Sequence, residues 1–220
     1  LATSIERVQA VVPAYLIASG IGQAVFGVAS DRFGRRPVIQ VGLVLFLAGS
    51  LVGMLAPSIE VLLAGRAIQG LGGACGVVVA RAVLRDCYSG EDLARAMALA
   101  VGVFTLGPLV APLFGVALMQ FGGWRATFAG ILVGGAGLLV AAIWRLRETN
   151  AAPDLGALQP ARLAASFARV VRHPQSRFFL AIAAIMQCSI ISLVANSPRL
   201  YKSGFDIDGA PVEGEAAGLV

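Results

Sequence analysis

Charge is what this sequence has least of. Only 13% of its 220 residues are charged, while 58% are hydrophobic and the mean hydropathy is +0.83. A soluble domain carries roughly a quarter charged residues. The shortfall excludes a disordered chain and argues against a soluble globular enzyme, leaving a polytopic membrane protein. Histidine is reduced to His173, so there is no His cluster for a metal, and no metal site is expected. Cysteine is reduced to Cys75, Cys87 and Cys188, far apart and without CxxC spacing, which predicts free thiols. A cleavable secretory signal is missing too: Glu6 and Arg7 precede the first apolar run and no small-residue cleavage site follows it. Neither Leu1 nor Val220 falls at a structural boundary, and the chain reads as a piece of a longer one.

What is present is long apolar runs and glycine, 27 residues of it. About 20 apolar residues are needed to cross roughly 30 Å of hydrocarbon as a helix. Six segments qualify: Val8–Ser30, Val38–Ala56, Ile59–Ala80, Ala96–Phe121, Ala126–Trp144 and Phe178–Ser197. A seventh begins at Ala216. The alternating ten-residue pattern of a membrane barrel is missing. The expected fold is an all-α membrane protein, a polytopic helical bundle.

The net charge is +5, carried by arginine with a single lysine, Lys202. In a soluble protein such basicity would suggest nucleic acid. Here the arginines lie between apolar runs, so membrane topology is the reading and no nucleic-acid partner is expected. The connections Asp31–Arg36, Arg81–Arg95 and Arg145–Arg177 hold twelve arginines, whereas Pro57–Ser58, Gly122–Arg125 and the stretch after Pro198 hold Arg125, Arg199 and Lys202. The positive-inside rule places the first set in the cytoplasm. Ala161–Arg172 shows a weak amphipathic pattern. It is either a helix on the anionic inner leaflet or a solvated linker that is basic for topology alone. Ser203–Ala217 reads as an external loop.

Small residues line helical faces: Gly20, Ala24 and Gly27 in the first run, Gly65, Gly72 and Gly76 in the third, Gly130, Gly134 and Gly137 in the fifth. In lipid, close backbone approach through such residues drives helix association. Pro108 and Pro112, framed by Gly107 and Gly115, predict a bent fourth run.

Two charged positions call for an explanation. Arg66 lies seven residues inside the third run, about 10 Å deep at 1.5 Å per residue, where burial costs about 3 kcal/mol. Gln69 and Gly70 beside it favour an interior cavity over a side chain stretched to the surface. No acid within the spans pairs with it, so a carboxylate or anionic substrate from elsewhere is expected. The second is the turn Gly27-Val-Ala-Ser-Asp31-Arg32-Phe-Gly34-Arg35-Arg36-Pro37. Gly34 permits a sharp reversal. Asp31 can accept from a helix N-terminus or pair with Arg, making a clamp that one conformation holds and another releases.

That turn resembles the signature loop GxxxDRxGRRPx of the major facilitator superfamily, through Gly27, Asp31, Arg32, Gly34, Arg35, Arg36 and Pro37. Gly65-Arg66-Ala-Ile-Gln69-Gly70 resembles the RxxQG of family helix four. Gly107-Pro108-Leu-Val-Ala-Pro112-Leu-Phe-Gly115 resembles the helix-five motif of drug/proton antiporters, with Val116 where a second Gly is usual. Arg85-Asp86-Cys-Tyr88 and Ser197-Pro198-Arg-Leu-Tyr201 look most like the bicyclomycin/chloramphenicol-resistance (Bcr/CflA) branch.

The resemblance implies a partial major facilitator fold covering helices two to seven. Residues 1–147 would be the rest of the first six-helix half, 148–177 the cytoplasmic connection, and 178–220 the start of the second half. It implies a bacterial inner-membrane exporter of small drug-like molecules, driven by the proton gradient with no bound cofactor, working by alternating access. Asp31, Arg32 and Arg35 would hold the cytoplasmic side closed. Arg66, with Gln69 and Gly70, would assist proton coupling through an acid of helix one, which this sequence does not include. Tyr15, Gln23, Gln187, Ser189 and Asn196 are candidates for the substrate cavity. Proton-coupled metabolite uptake is the alternative within the family; a non-transporting receptor or scaffold also stays open. An intramembrane enzyme would need a Ser/His or His/Asp constellation, which a single His173 beside Pro174 does not offer, so no enzyme is expected.

Overall fold

A computed structural model describes residues 5–202. They form seven helices: α1 (Ile5–Gln9), α2 (Val11–Phe33), α3 (Arg35–Met54), α4 (Ile59–Cys87), α5 (Gly90–Arg145), α6 (Pro160–Arg172) and α7 (Pro174–Lys202). The loop expected over Ser203–Ala217 and the run expected from Ala216 lie outside the described residues. There is no strand among the described residues. Among the described residues, four helical stretches, Arg7–Phe33, Arg35–Met54, Ile59–Cys87 and Gly90–Arg145, are long and apolar enough to cross a membrane. The chain divides into two units, Leu1–Arg162 and Leu163–Val220.

The stops between helices follow from local chemistry. Gly34, at φ 96° and ψ 159°, separates α2 from α3 in backbone space that only glycine occupies freely. Pro37 falls in the first turn of α3, where its missing N–H costs nothing. Ser58 starts α4 as an N-cap, its hydroxyl accepting from Val61 N at 3.4 Å. Expected as one helix-sized run each, 96–121 and 126–144 are the two arms of α5, divided at Gly122 and Gly123 by non-helical backbone, with Gly123 at φ 63°. The helix continues unbroken through Pro108 and Pro112.

In the first unit α4 is central. It packs against α2 in parallel and α3 in antiparallel sense, and the second arm of α5 runs antiparallel along α3. The crossings are made by glycine. A Cβ on Gly49 or Gly72 would run into the facing helix's backbone, at Gln69 and Phe46 respectively, and a Cβ on Gly70 would meet the backbone of Tyr15. Two apolar clusters close the ends: Val38, Cys75 and Val79 at the Arg-rich end, and Ala56, Ile59 and Leu62 at the other. The fully buried side chains include Ser30, Ser50 and Gln69, while Ile17, Ile21, Val25, Val41 and Val44 face outward. That inversion suits a bundle whose solvent is lipid.

The packing stripes correct the sequence reading in three places. Gly20 has open space around it and Ala24 is exposed; Ala18, Gly22 and Ser30 are the buried positions of α2. On the second arm Gly134 and Gly137 are also open, and Gly135, against Leu47 and Phe46, makes the close approach. A Cβ on Gly76 would likewise meet no neighbour within 4 Å. The outer surroundings are as apolar as the interior, so hydropathy does not mark which side of such a helix faces in.

Candidate functional site

At the Arg-rich end, the turn between α2 and α3 is the hub of a polar cluster. Arg35 is its centre, with a side chain only 9% exposed. Its Nη1 donates to Asp31 Oδ1 at 2.6 Å and to Ser30 Oγ at 2.8 Å, and its Nε to Asp86 Oδ2 at 2.9 Å. Asp31 is one helical turn back on α2, while Asp86 is carried by the last turn of α4. One guanidinium thus ties two helices to the start of a third, with the fork geometry that lysine lacks.

Asp31 was expected to accept from a helix N-terminus or to pair with arginine. It pairs with arginine, and the N-terminus of α3 is capped by another acid. Glu148, just past the end of α5, accepts from Arg35 N at 2.8 Å and Arg36 N at 3.1 Å, and from its own neighbours Thr149 N and Asn150 N at 3.0 and 2.9 Å. Burial pushes its carboxyl pKa up, but the four backbone N–H groups outweigh that and hold it below the ordinary carboxylate value. A Cβ on Gly34 would meet the Glu148 carboxylate at 2.5 Å, so a larger residue there would displace that carboxylate as well as strain φ.

The chain after Glu148 fastens the turn further. Asn150 Nδ2 donates to the carbonyls of Ser30 at 3.4 Å and Asp31 at 2.9 Å, Asp154 N donates to the Asp31 carbonyl at 3.0 Å, and Thr149 Oγ1 donates to Asp86 Oδ2 at 3.2 Å. Arg32 Nη1 reaches the Leu155 carbonyl at 3.0 Å, and Arg36 Nη2 reaches the Ile143 carbonyl near the end of α5 at 2.9 Å. Residues 148–155 therefore form a strap across the signature turn. The sequence reading missed Glu148 and Asn150. Their one visible signal is that Glu148 is the sole acid between Arg145 and Pro153, and its partners lie 112 and 113 residues away.

Toward the end of the bundle away from the Arg-rich turn, Tyr15, Arg66 and Gln69 come together as one polar network. Arg66 Nη1 donates to Gln69 Oε1 at 2.5 Å, Gln69 Nε2 donates to Ser50 Oγ at 2.8 Å, and Ser50 Oγ donates to the Phe46 carbonyl at 2.7 Å. The Arg66 guanidinium carbon lies 4.6 Å from the Tyr15 ring centroid, a cation–π contact. Arg66 thus turns inward, linking α2, α4 and α3. Its Nε is buried without a hydrogen-bond partner among the described residues. Gly70, next in the motif, brings the Tyr15 backbone against α4. Ser50 was not singled out from the sequence; one serine in an apolar run carries no signal until its neighbour is known.

The remaining candidates stay apart. A Cβ on Gly27 would sit in ordinary contact with Val78, at 3.5 Å. Gln23 is exposed on α2. On α5, Pro112 is exposed, and a Cβ on Gly107 or Gly115 would meet no neighbour within 4 Å; Pro108 lies within the helix. In the second unit, Gln187 is exposed and Ser189 Oγ returns to its own helix at the Ile185 carbonyl, 2.9 Å away. Asn196 lies on α7. Among the described residues no group of His, Cys, Asp or Glu could hold a metal, and all three cysteines are free.

Comparison with known proteins adds the family. Residues 1–220 match the Major Facilitator Superfamily. The chain is 40% identical over 143 residues to Multidrug resistance protein D of Escherichia coli K12, covering 65% of this chain and 36% of that protein. It is 34% identical over 151 residues to the uncharacterized MFS-type transporter YdgK of Bacillus subtilis, covering 68% and 38%. It is 32% identical over 189 residues to Multidrug resistance protein MdtL of Escherichia coli O81, covering 84% and 46%. The chain therefore spans less than half the length of these relatives. The match along its whole length, on an all-helical membrane bundle, places this protein in the major facilitator superfamily.

Proposed function

We propose that the protein is part of a proton-coupled exporter of small drug-like molecules, of the Bcr/CflA branch, working by alternating access in a bacterial inner membrane. The observation that carries this reading is Arg66, a cation drawn into the bundle by Tyr15 and Gln69 with one buried N–H left without a partner among the described residues. A permanent cation there lowers the pKa of any carboxylate that approaches it. A neighbouring acid that binds and releases a proton in step with conformation is the chemistry such a site serves. The names of two relatives as multidrug resistance proteins support the choice of substrate class.

In this reading the Arg-rich end faces the cytoplasm. The cluster of Asp31, Arg32, Arg35, Arg36, Asp86 and Glu148 is a latch that stabilises one of the two access states. Gly107, Pro108, Pro112 and Gly115 shape α5 as it rocks between the two access states. Gln23, Gln187, Ser189 and Asn196 contribute to the drug path, whereas Tyr15 serves the Arg66 network. The test is drug movement in inverted membrane vesicles carrying the full-length protein, with and without an imposed proton gradient. Gradient-dependent accumulation that Arg66→Ala abolishes and Arg66→Lys partly retains is expected. Accumulation unaffected by the gradient would overturn proton coupling, and movement in the opposite direction would favour the uptake alternative.

A further inference from the structure

The connector between α5 and α7 holds a feature that the transport cycle does not use. At about 100° per residue, positions Leu163, Phe167, Val170 and Val171 of α6 share one face, and Arg169 and Arg172 fall on the other. Val170 and Val171 are 49% and 55% exposed. Arg169 and Arg172, with Ala165, Ala168, His173 and Pro174, line an open recess of about 520 Å³ where α6 meets α7. The chain holds no acid between Asp154 and Asp206, so no carboxylate from this stretch balances the two guanidiniums.

Chain length fixes where this elbow must lie. Only His173 separates α6 from α7, and the apolar run of α7 starts at Phe178, four residues past Pro174. Four helical residues rise about 6 Å. If α7 crosses the bilayer, the end of α6 is therefore held at the hydrocarbon boundary. There, exposed valines meet acyl chains and unpaired arginines meet phosphate.

We propose that α6 is a docking surface for anionic phospholipid: it lies along the interface with Val170 and Val171 toward the acyl chains, and Arg169 and Arg172 engage headgroup phosphates. The occupant follows from charge complementarity, since Arg169 and Arg172, on the face opposite the valines and without a carboxylate partner among the described residues, select an anionic surface over a zwitterionic one. The proposal is independent of what the protein transports and requires only that α7 crosses the bilayer.

The test places a nitroxide at Val171→Cys in full-length protein whose native cysteines are replaced. The protein is reconstituted in nanodiscs of phosphatidylcholine alone or with three-tenths phosphatidylglycerol. In the mixed discs the label is expected to collide with oxygen and not with a water-soluble nickel chelate. Partitioning should be weaker in phosphatidylcholine alone, on the order of thirtyfold for two arginines near an anionic surface. Arg169→Gln with Arg172→Gln should erase the difference between the two bilayers. A nickel-accessible label in the mixed discs means a solvated linker, and a label shielded from both reagents means that protein covers this face. Equal lipid contact in both bilayers means no selection for anionic lipid. Each of these three results overturns the proposal.

Discussion

Glu148→Gln isolates the strap from the rest of the fold. The carboxylate takes four backbone N–H groups, two of them from the first turn of α3. Glutamine keeps one acceptor oxygen, and its amide nitrogen then faces an N–H that it cannot accept from. An N-cap is worth about 1 kcal/mol, and loss of negative charge at a helix N-terminus adds about 0.5 kcal/mol where the group is open to water. The sum, about 1.5 kcal/mol, is roughly a tenfold change in an equilibrium constant. Hydrogen–deuterium exchange of the peptide spanning Arg35 and Arg36 reads this directly: exchange of those two amides should accelerate about tenfold in full-length protein, with the middle of α3 unaffected. The pH dependence has a definite sign. The folded carboxyl sits below its reference value of 4.5, so the strap is at full strength above that value and is lost as pH falls through the depressed one. Wild-type protection, corrected for intrinsic exchange, should therefore be flat between about pH 5.5 and 8. Unchanged exchange in Glu148→Gln, or a loss of protection near neutral pH in wild type, would refute the reasoning.

Other perturbations test other parts of the same picture. Arg35→Leu takes the guanidinium away from Asp31 and Asp86, leaving Asp86 only the Thr149 hydroxyl, and should destabilise the folded protein by about 3 kcal/mol, read as a drop in thermal unfolding temperature in detergent; no drop would mean that the cluster is solvated. Gly72→Ala forces a Cβ into the backbone of α3 at Phe46, whereas Gly76→Ala meets nothing within 4 Å, so the first should lower the unfolding temperature and the second leave it level or raise it. Gly34→Ala combines a glycine-only backbone conformation with a collision at Glu148 and should cost about 1–3 kcal/mol, unrelieved by Glu148→Ala because the backbone strain stays. Arg66→Lys keeps the charge but loses the fork to Gln69, and its gradient-driven export should fall well below wild type while expression is maintained.

The sequence made the helices legible because a bilayer imposes a length. Runs of about 20 apolar residues, the Ser58 cap, the reversal at Gly34 and the break at Gly122–Gly123 are local signals, and each has a local cause. Facing was less legible. In water an apolar stripe points inward by default, but in lipid both sides of α2 are apolar, which is why Gly20 and Gly22 could not be told apart until α4 was in place. Long-range pairing was least legible of all. Arg66 could be flagged because a charge inside a span needs an explanation, and Gln69 because it sits three residues away on the same helix. Ser50 and Glu148 needed no explanation where they stand; only the fold brings them to their partners.

The arginines at one end of the helices look alike in sequence, as a single topological excess of positive charge. The structure sets two groups of them apart. In the signature turn, Arg32, Arg35 and Arg36 are gathered with Asp31, Asp86 and Glu148, three cations with three anions, and every one of these arginines is bonded to a carboxylate or a carbonyl. Such a cluster is satisfied by the protein itself. It can open only if new partners replace the old ones, which is the property a latch between two conformations requires. Arg169 and Arg172 on α6 have no carboxylate between Asp154 and Asp206 to draw on, so their counter-charge must come from outside the connector. The same residue type, counted by the same topology rule, is therefore satisfied within the protein where acids fold onto it and left to outside counter-charge where none do, and the proposed latch and the proposed lipid surface rest on that difference.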